Sequence, residues 1–521
     1  MVCLRSAGAR HAAVAARLSA KPAGAVPNGV VNLPLGEPRF AALGLAYGQA
    51  VAALPLPDAQ RLYFNAALAD QIGLDPRWCQ SPAALPLLTG NAAWPGQMPS
   101  ASVYAGHQFG VWVSQLGDGR VLTLAEWRSP DGSPVELQLK GAGPTPYARG
   151  SDGRATLASS VRELLACEAL HALGVPTTRA LSLAGSSLSV QRDMLETAGV
   201  LGRTAPCFVR FGHFEFHARH GTPQQLALLA DHVIEHHFPY LANQPPRQRH
   251  AAWLAEVVEL TAALFAHWQT LGFCHGVLNT DNLSVLGLTL DYGPYGFMER
   301  FRPHHVCNAS DHEGRYAYTA QPAIGRWNCE RLLDACAGLL APQPETASHL
   351  AQALLARYDE VYRQEVMRRW RAKLGLRDAR AGDAGLLNRW LTLLQRGKAD
   401  FTLAFRRLAD AIQTDPAEAL ICLPAGQDAV LRDWLNDWRT RLASEGGLPA
   451  GRASAMRRVN PRYVLRNHLA QAAIEGAQRG SSVELHRLLA VLARPFDEQP
   501  GAEHYATPPA QGLELEIGCS A

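Results

Sequence analysis

The sequence predicts an α+β protein with a β-rich first part and a helical second part, on three observations. Between Val103 and Gly150, short apolar segments (Gly110–Gln115, Val121–Trp127, Val135–Leu139) are separated by Gly-Asp-Gly and Pro-Asp-Gly turn signals. One helical stretch, Thr156–Leu173, interrupts them. Its apolar residues Leu157, Val161, Leu164 or Leu165, and Leu170 recur at helical spacing, and Gly174 with Pro176 stops it. Beyond Thr222 the pattern turns helical, with amphipathic stretches at Gln224–Glu235 and Ala251–Leu271.

The remaining elements follow in order. Strand signal resumes at Leu181–Val190 and again around Cys207–Phe211, and Leu283–Leu290 reads as a short apolar hairpin. Residues 345–445 are dominated by helices rich in Leu, Ala and Arg; a last helical block, about 461–494, runs into the Pro/Gly-rich segment Pro495–Ala521. The chain divides into a poorly ordered tail (1–36), an N-terminal extension (37–100), a β-rich lobe (101–220), a helical lobe (221–440) and a C-terminal helical extension with a Cys-containing tail (441–521).

Bulk composition narrows the function. At 521 residues the chain exceeds one compact core, and 47% apolar content supplies a large interior. The formal charge of +3 is near balance, and no basic run is interleaved with aromatics, which argues against nucleic-acid binding. No run of about eighteen apolar residues is present, so no membrane span is expected. None of the 10 cysteines forms a Cys-x-x-Cys pair, which argues against structural zinc and for reduced thiols. Residues 1–36 carry Arg5, Arg10, Arg17 and Lys21 with no acid before Glu37. That character suits a mitochondrial transit peptide or a poorly ordered tail; we favour the tail, in a bacterial cytoplasmic monomer.

The chemistry concentrates in His275-Gly276-Val277-Leu278-Asn279-Thr280-Asp281-Asn282. This string has the frame of a protein-kinase catalytic loop, in which the third residue is the Asp base and the eighth a metal-binding Asn. Asn282 is present, but Val277 stands where the base belongs. Nine residues beyond Asn282, Asp291-Tyr292-Gly293 has the look of Asp-Phe-Gly, whose Asp holds the nucleotide metal. The oxygen ligands of Asn282 and Asp291 suit Mg²⁺ or Mn²⁺. Asp281 is the one carboxylate in the loop able to assist a hydroxyl nucleophile, or else a structural cap.

Upstream, Lys140 ends the strand Glu136–Lys140 and Glu163 follows 23 residues later on the predicted helix, the pairing a bilobal protein-kinase-like fold uses to hold nucleotide phosphates. Gly117-Asp118-Gly119-Arg120 and Gly150-Ser151-Asp152-Gly153-Arg154 could each bare backbone amides to an anion or be ordinary turns. Arg203 and Arg210, seven apart around a β-like segment, could fork onto a polyphosphate or lie on the surface. The histidines of His213, His217, His220 and of His232, His236, His237 lack the Glu of a zinc-protease helix and read as solvated faces.

At these motifs the chain resembles the selenoprotein O family (SelO/YdiU). The matching strings are Val103–Gly110, Gln115–Arg120, Glu136–Arg154, Gly272–Gly276, Asn279–Asn282, Asp291–Pro294 and Met456–Pro461. They run from about residue 35 to the C-terminus; Leu278 and Ala125 depart from the family's usual Met and Gly without touching a candidate ligand. The resemblance implies a pseudokinase that binds ATP flipped, so that AMP passes to Ser, Thr or Tyr hydroxyls of proteins, its own included, and pyrophosphate leaves. It implies that Lys140, Gly117, Gly119, Arg120, Asp152, Gly153, Arg203 and Arg210 cradle the nucleotide, with Asp291 reaching it through the metal. Glu163 then orients Lys140, Asn282 and Asp291 hold the metal, and Asp281 is the base. It also places Cys519 at the family's selenocysteine-or-cysteine position. Cys307 lies past Asp291, where a kinase activation segment would run; the two either form a reversible disulfide that gates the site or are unrelated thiols.

Two other readings compete: a conventional kinase that moves the γ-phosphate with Asp281 as base, and a non-catalytic nucleotide-binding redox sensor. Val277 argues against the first, and retention of Lys140, Glu163, Asn282 and Asp291 against the second.

Overall fold

The computed structural model describes residues 39–94, 96, 98–412, 428–510, 515, 517 and 518. The tail at 1–36 and Cys519 lie outside the described residues.

The architecture is α+β. Ten strands occupy the first part of the chain: β1 (Gly48–Ala50), β2 (Gln60–Phe64), β3 (Ser100–Ser102), β4 (Gly106–Gln108), β5 (Val111–Val113), β6 (Val121–Arg128), β7 (Pro134–Lys140), β8 (Ala155–Thr156), β9 (Arg179–Gln191) and β10 (Leu195–Ala205). Eight of them form one sheet in the order β1-β3-β6-β7-β10-β9-β2, with β8 against β10. Every pairing in it is antiparallel. Strands β4 and β5 form a separate two-stranded ribbon.

The alternation of β7 sends Leu137 and Leu139 into an apolar layer with Trp94 and Trp127. Its other face carries Gln138 and Lys140, and Arg203 on β10 stands directly opposite Gln138. The helix Leu157–Ala172 lies against β9 and β10. Thr156 caps it, its hydroxyl accepting from Ser159 N at 3.0 Å, and Gly174 ends it in the left-handed region that L side chains avoid.

Helices dominate the rest: Phe211–His220, Pro223–His237, Pro246–Leu271, Gln321–Ala335, Pro344–Lys373, Asp383–Gly397 and Asp428–Ala443, then Asn467–Gln478 and Val483–Leu492. The last two pack on the Leu157–Ala172 helix, so Leu469, Ile474 and Leu485 share a core with Val161 and Leu164. A second core, built on Trp370, Trp390, Trp434 and Trp438, lies among the helices of 344–443. Among the described residues no helix is long and apolar enough to cross a membrane.

Three expectations are corrected. The strand expected at Cys207–Phe211 is β10, at Leu195–Ala205. Gly199 and Gly202 hide it, and packing requires both: a Cβ on Gly199 would lie 3.1 Å from the Leu157 backbone, and one on Gly202 2.4 Å from Ser182 Oγ. Helix begins at Phe211 rather than beyond Thr222. Leu283–Leu290 does not pair with itself; Ser284 bridges to Arg210 and Thr289 to Thr177.

Candidate active site

Lys140 leaves the end of β7 and meets Glu163, carried by the helix behind it, at 2.5 Å. The other oxygen of Glu163 accepts from Arg203 Nη1 at 2.7 Å. Arg203, fully buried, is aimed by Gln138, whose Oε1 accepts from Nη2 at 2.9 Å and Nε at 3.2 Å. The same Nη1 donates to Asp291 Oδ1 at 2.6 Å, and Lys140 Nζ reaches that oxygen at 3.5 Å. Arg210 closes the set: its Nη1 donates to Asp291 Oδ2 and, at 2.9 Å, to the carbonyl of Asp281. Its other nitrogen stands 3.9 Å from Asp118.

This electrostatic arrangement splits two carboxylates. Burial alone would raise Asp291, but Arg210, Arg203 and Lys140 hold it well below the ordinary carboxylate range. Asp281, ten residues earlier, is pushed up to about 6 by burial, which Arg210 only partly offsets. Its Oδ1 is buried without a hydrogen-bond partner, and Oδ2 meets Gln108 Nε2 at 3.5 Å. Asp291 thus stays an anion while Asp281 is poised to take up a proton, the separation of roles that acid–base chemistry needs.

The loop that carries Asp281 is held by neutral carboxamides. Gln321 accepts from His275 N and donates to Phe273 O, both at 2.9 Å. Asn328 donates to Leu278 O at 3.0 Å and Asn308 to Gly276 O at 2.9 Å. Asn279 Oδ1 accepts from Phe109 N at 3.0 Å, and Asn282 Nδ2 donates to Val277 O at 3.0 Å. The Asn282 bond leaves its Oδ1 as the acceptor. The Asn282 amide oxygen and the Asp291 carboxylate are hard oxygen donors of the kind that suits Mg²⁺ or Mn²⁺. Among the described residues no cluster of three His, Cys, Asp or Glu could hold a metal. A cation here would therefore complete its shell with phosphate oxygens and water, as Mg²⁺ commonly does.

The glycine loops stand beside this cluster. Gly117-Asp118-Gly119-Arg120 is not a hairpin turn, because the strands flanking it, β5 and β6, belong to different sheets. Asp118 turns inward and accepts from Ser102 N at 2.9 Å and Ser102 Oγ at 2.6 Å. Gly117, at φ 140°, packs where a Cβ would lie 2.6 Å from the Tyr147 ring. The Arg120 carbonyl accepts from Gly141 N at 2.7 Å, next to Lys140. Asp152 and Gly153 lie on the adjoining loop, tied through Gly153 O to Gly143 N at 3.1 Å, without direct contact to the charged cluster. Asp152 is held by Arg192, two nitrogens at 2.9 Å each, a partner with no motif to announce it.

Further contacts lie outside any sequence signal: Gln108 to Asp281, Asp118 to Ser102, and His107 Nδ1 to Glu215 Oε1 at 2.6 Å. The expectation of solvated histidine faces is corrected for His213, His217 and His232, which are buried; His236 and His237 are half-buried and His220 is exposed as expected. His213, for one, spends Nε2 on Ser102 Oγ at 3.0 Å and Nδ1 on Arg210 N at 3.0 Å.

Cys307 is a half-buried free thiol whose sulfur lies 2.8 Å from where a Cβ on Gly276 would sit. Beside it, Asn308 bridges to Ile517 of the C-terminal tail, and Ala309 N donates to Ile517 O at 2.9 Å.

Comparison with known proteins agrees with this geometry. The family model described as protein adenylyltransferase SelO matches residues 32–493. A "Protein nucleotidyltransferase YdiU" of Methylococcus capsulatus is 56% identical over 497 residues, which is 95% of this chain and 98% of that protein. Proteins of the same name from Burkholderia mallei and Ralstonia nicotianae are each 47% identical, over 97% and 94% of this chain and 99% and 96% of theirs. With a family model and relatives that match nearly the whole chain, the protein belongs to the SelO protein adenylyltransferase family.

Proposed function

We propose that this chain transfers AMP from ATP to Ser, Thr or Tyr hydroxyls of proteins, itself included, releasing pyrophosphate. The observation that carries the reading is the convergence of Lys140, Arg203 and Arg210 on Asp291, beside an Asp281 whose buried oxygen has no partner. On this reading the sheet with its Glu163 helix and the helical remainder are the two lobes of a protein-kinase-like fold. Segments 37–100 and 441–521 extend it, and the chain acts as a monomer in the bacterial cytoplasm.

ATP enters flipped relative to a kinase, so that Lys140, Arg203 and Arg210 take the outer phosphates and the α-phosphorus faces Asp281. Gly117, Gly119, Arg120, Asp152 and Gly153 border the nucleotide, and Glu163 fixes the Lys140 ammonium. Asn282 and Asp291 would hold Mg²⁺ or Mn²⁺, which supplies charge neutralisation at the phosphates. The acceptor oxygen bonds to the α-phosphorus, the bond from that phosphorus to the bridging oxygen breaks, and pyrophosphate leaves with the electron pair. Asp281 Oδ1 takes the hydroxyl proton. The three cations, two of them fully buried, stabilise charge that grows on the leaving group. Val277 in place of the usual base suits this order, because the attacked phosphorus has moved.

A regulatory layer rests on the tail. Ile517 lies against Asn308, so Cys519 is only two residues from a segment docked beside Cys307. Exchange with an oxidised small-molecule disulfide would join the two sulfurs, reduce that disulfide to two thiols and tether the tail over the loop. Masses of tryptic peptides with and without reductant test it; oxidised protein lacking a Cys307–Cys519 species ends the idea.

Transfer itself is tested with α-³²P-ATP and γ-³²P-ATP in parallel, a protein acceptor, and Mg²⁺ or Mn²⁺. Label from the α-position alone is expected. Label from γ alone would make the chain a kinase, and no label from either a nucleotide-binding scaffold.

A further inference from the structure

The β4–β5 ribbon lies along the loop that carries Asp281. Gly106 at its base leaves Asp281 Oδ1 3.2 Å from where a Cβ would stand, and Gln108, next to the turn, reaches the other oxygen. Its tip is a two-residue turn, Phe109-Gly110, with both φ positive at 51° and 83°. Such a turn is ordinarily filled by Asn, Asp or Gly, and a bulky aromatic residue there is strained. The turn is held by the Phe109 amide, which donates to Asn279 Oδ1 at 3.0 Å and Tyr316 Oη at 3.1 Å, and by the packing of its ring on Tyr316; Phe109 is still 38% exposed and Val111 beside it 68% exposed. Two exposed apolar side chains pinned in place beside Asp281 leave a face for a contact with something else.

The surroundings say what that something carries. Arg219 stacks on Trp112 with its guanidinium 4.7 Å from the ring centre, and Arg315 on Trp327 at 4.8 Å. Trp112 and Trp327 both pack on His107 in the middle of the ribbon, and the Arg315 guanidinium lies 3.1 Å from where a Cβ on Gly110 of the turn would stand. Neighbouring Arg331 is neutralised by Glu330 and Asp334 at 3.2 and 3.1 Å. Arg219 and Arg315 have no carboxylate partner among the described residues. Arginine held flat on an aromatic ring keeps its edge nitrogens free for carboxylates.

We propose that the ribbon tip, with Arg219 on one side and Arg315 on the other, is the docking surface for the acceptor protein. It takes a segment that bears an apolar side chain with acidic residues around the target hydroxyl. The apolar residue packs on Phe109 and Val111, the carboxylates pair with the two arginines, and the ribbon directs the hydroxyl inward to Asp281. This deepens the AMP-transfer reading and rests on it.

The test uses the full chain and two synthetic peptides with one central Ser and one Leu, differing only in Glu or Lys flanks. With α-³²P-ATP the Glu-flanked peptide is expected to be used about tenfold better in kcat/KM, an advantage that shrinks with added salt. Arg219→Glu combined with Arg315→Glu should reverse the preference through KM, with kcat and the affinity for a fluorescent ATP analogue unchanged. Should the half-buried Arg315 be needed for folding, exposed Arg219→Glu alone carries the test and should lower the advantage several-fold. Equal use of the two peptides by the wild type, or a preference untouched by a folded variant, overturns the docking surface and leaves AMP transfer standing. No α-label on either peptide or on any protein overturns the transfer reading and the docking surface with it.

Discussion

Two buried arginine–carboxylate networks in this molecule have similar parts and opposite designs. Around Glu445, side chain 1% exposed, Arg441 and Arg452 donate at 2.7 and 2.9 Å, and the amides of Arg377 and Asp378 donate at 3.0 Å each. Burial would raise Glu445, but Arg452, those amides and Arg441 hold it at about 2. Its partners lie 4 to 68 residues away, within one helical region. Around Asp291, side chain 18% exposed, the partners lie 81 to 151 residues away and come from two strands of the sheet and the start of a helix. Asp291 is also held at a left-handed φ of 56°, a strained posture for a residue with a Cβ. The first network is saturated and closes a fold; the second is gathered from afar at an opening. On the proposed reading similar chemistry serves stability in one place and reactivity in the other, and exposure with backbone strain is what differs between them.

Substitutions should separate the two. Asp291→Ala is expected to lower AMP transfer on the order of 10³-fold or more while the protein still melts cooperatively, read by α-label incorporation beside a thermal melt. A variant that keeps wild-type transfer would break the comparison.

Asp281→Asn should cost on the order of 10²–10⁴-fold in rate. It sharpens the contrast through stability as well. Because burial lifts Asp281 to about 6, the folded state binds its proton more tightly than the unfolded chain. Stability from this group is therefore present below the ordinary value of 3.8 and lost as pH rises through about 6. At pH 7 Asp281→Asn should be more stable by about 1–3 kcal/mol though inactive. Wild-type transfer should fall as pH drops below about 6, where the base becomes protonated.

Glu445→Ala is the converse and smallest in its effect on rate. Its carboxylate is depressed, so its contribution is present above 4.5 and lost as pH falls toward about 2. Removing it leaves the buried Arg452 guanidinium without its carboxylate, while Arg441 keeps Asp383 at 2.8 Å, and should cost roughly 3–5 kcal/mol in denaturant titration, with transfer per folded molecule within about twofold of wild type.

The same contrast explains what could be read from the sequence. Lys140, Glu163, Asn282 and Asp291 were legible because each sits at a marked place: a strand end, a helix at fixed distance, or a short string with known spacing. The structure joins Lys140 and Glu163 as that spacing requires. Gln108 on Asp281, Asp118 on Ser102 and Arg192 on Asp152 were not legible, since no local pattern links residues 173, 16 and 40 apart. β10 was lost because Gly199 and Gly202, placed there to admit a helix and a neighbouring strand, weaken strand character in the sequence. The histidines misled for a related reason. Polar side chains look solvated in a sequence, whereas His213 is buried and spends both ring nitrogens on neighbours.

The carboxamides that grip the loop from Phe273 to Asn282 have a consequence of their own. Asn279, Asn282, Asn308, Gln321 and Asn328 do not ionise, so acid stress reaches Asp281 without unfastening the clasp around it. On the proposed reading, transfer lost below about pH 6 should return on neutralisation with no rebuilding of the loop in between.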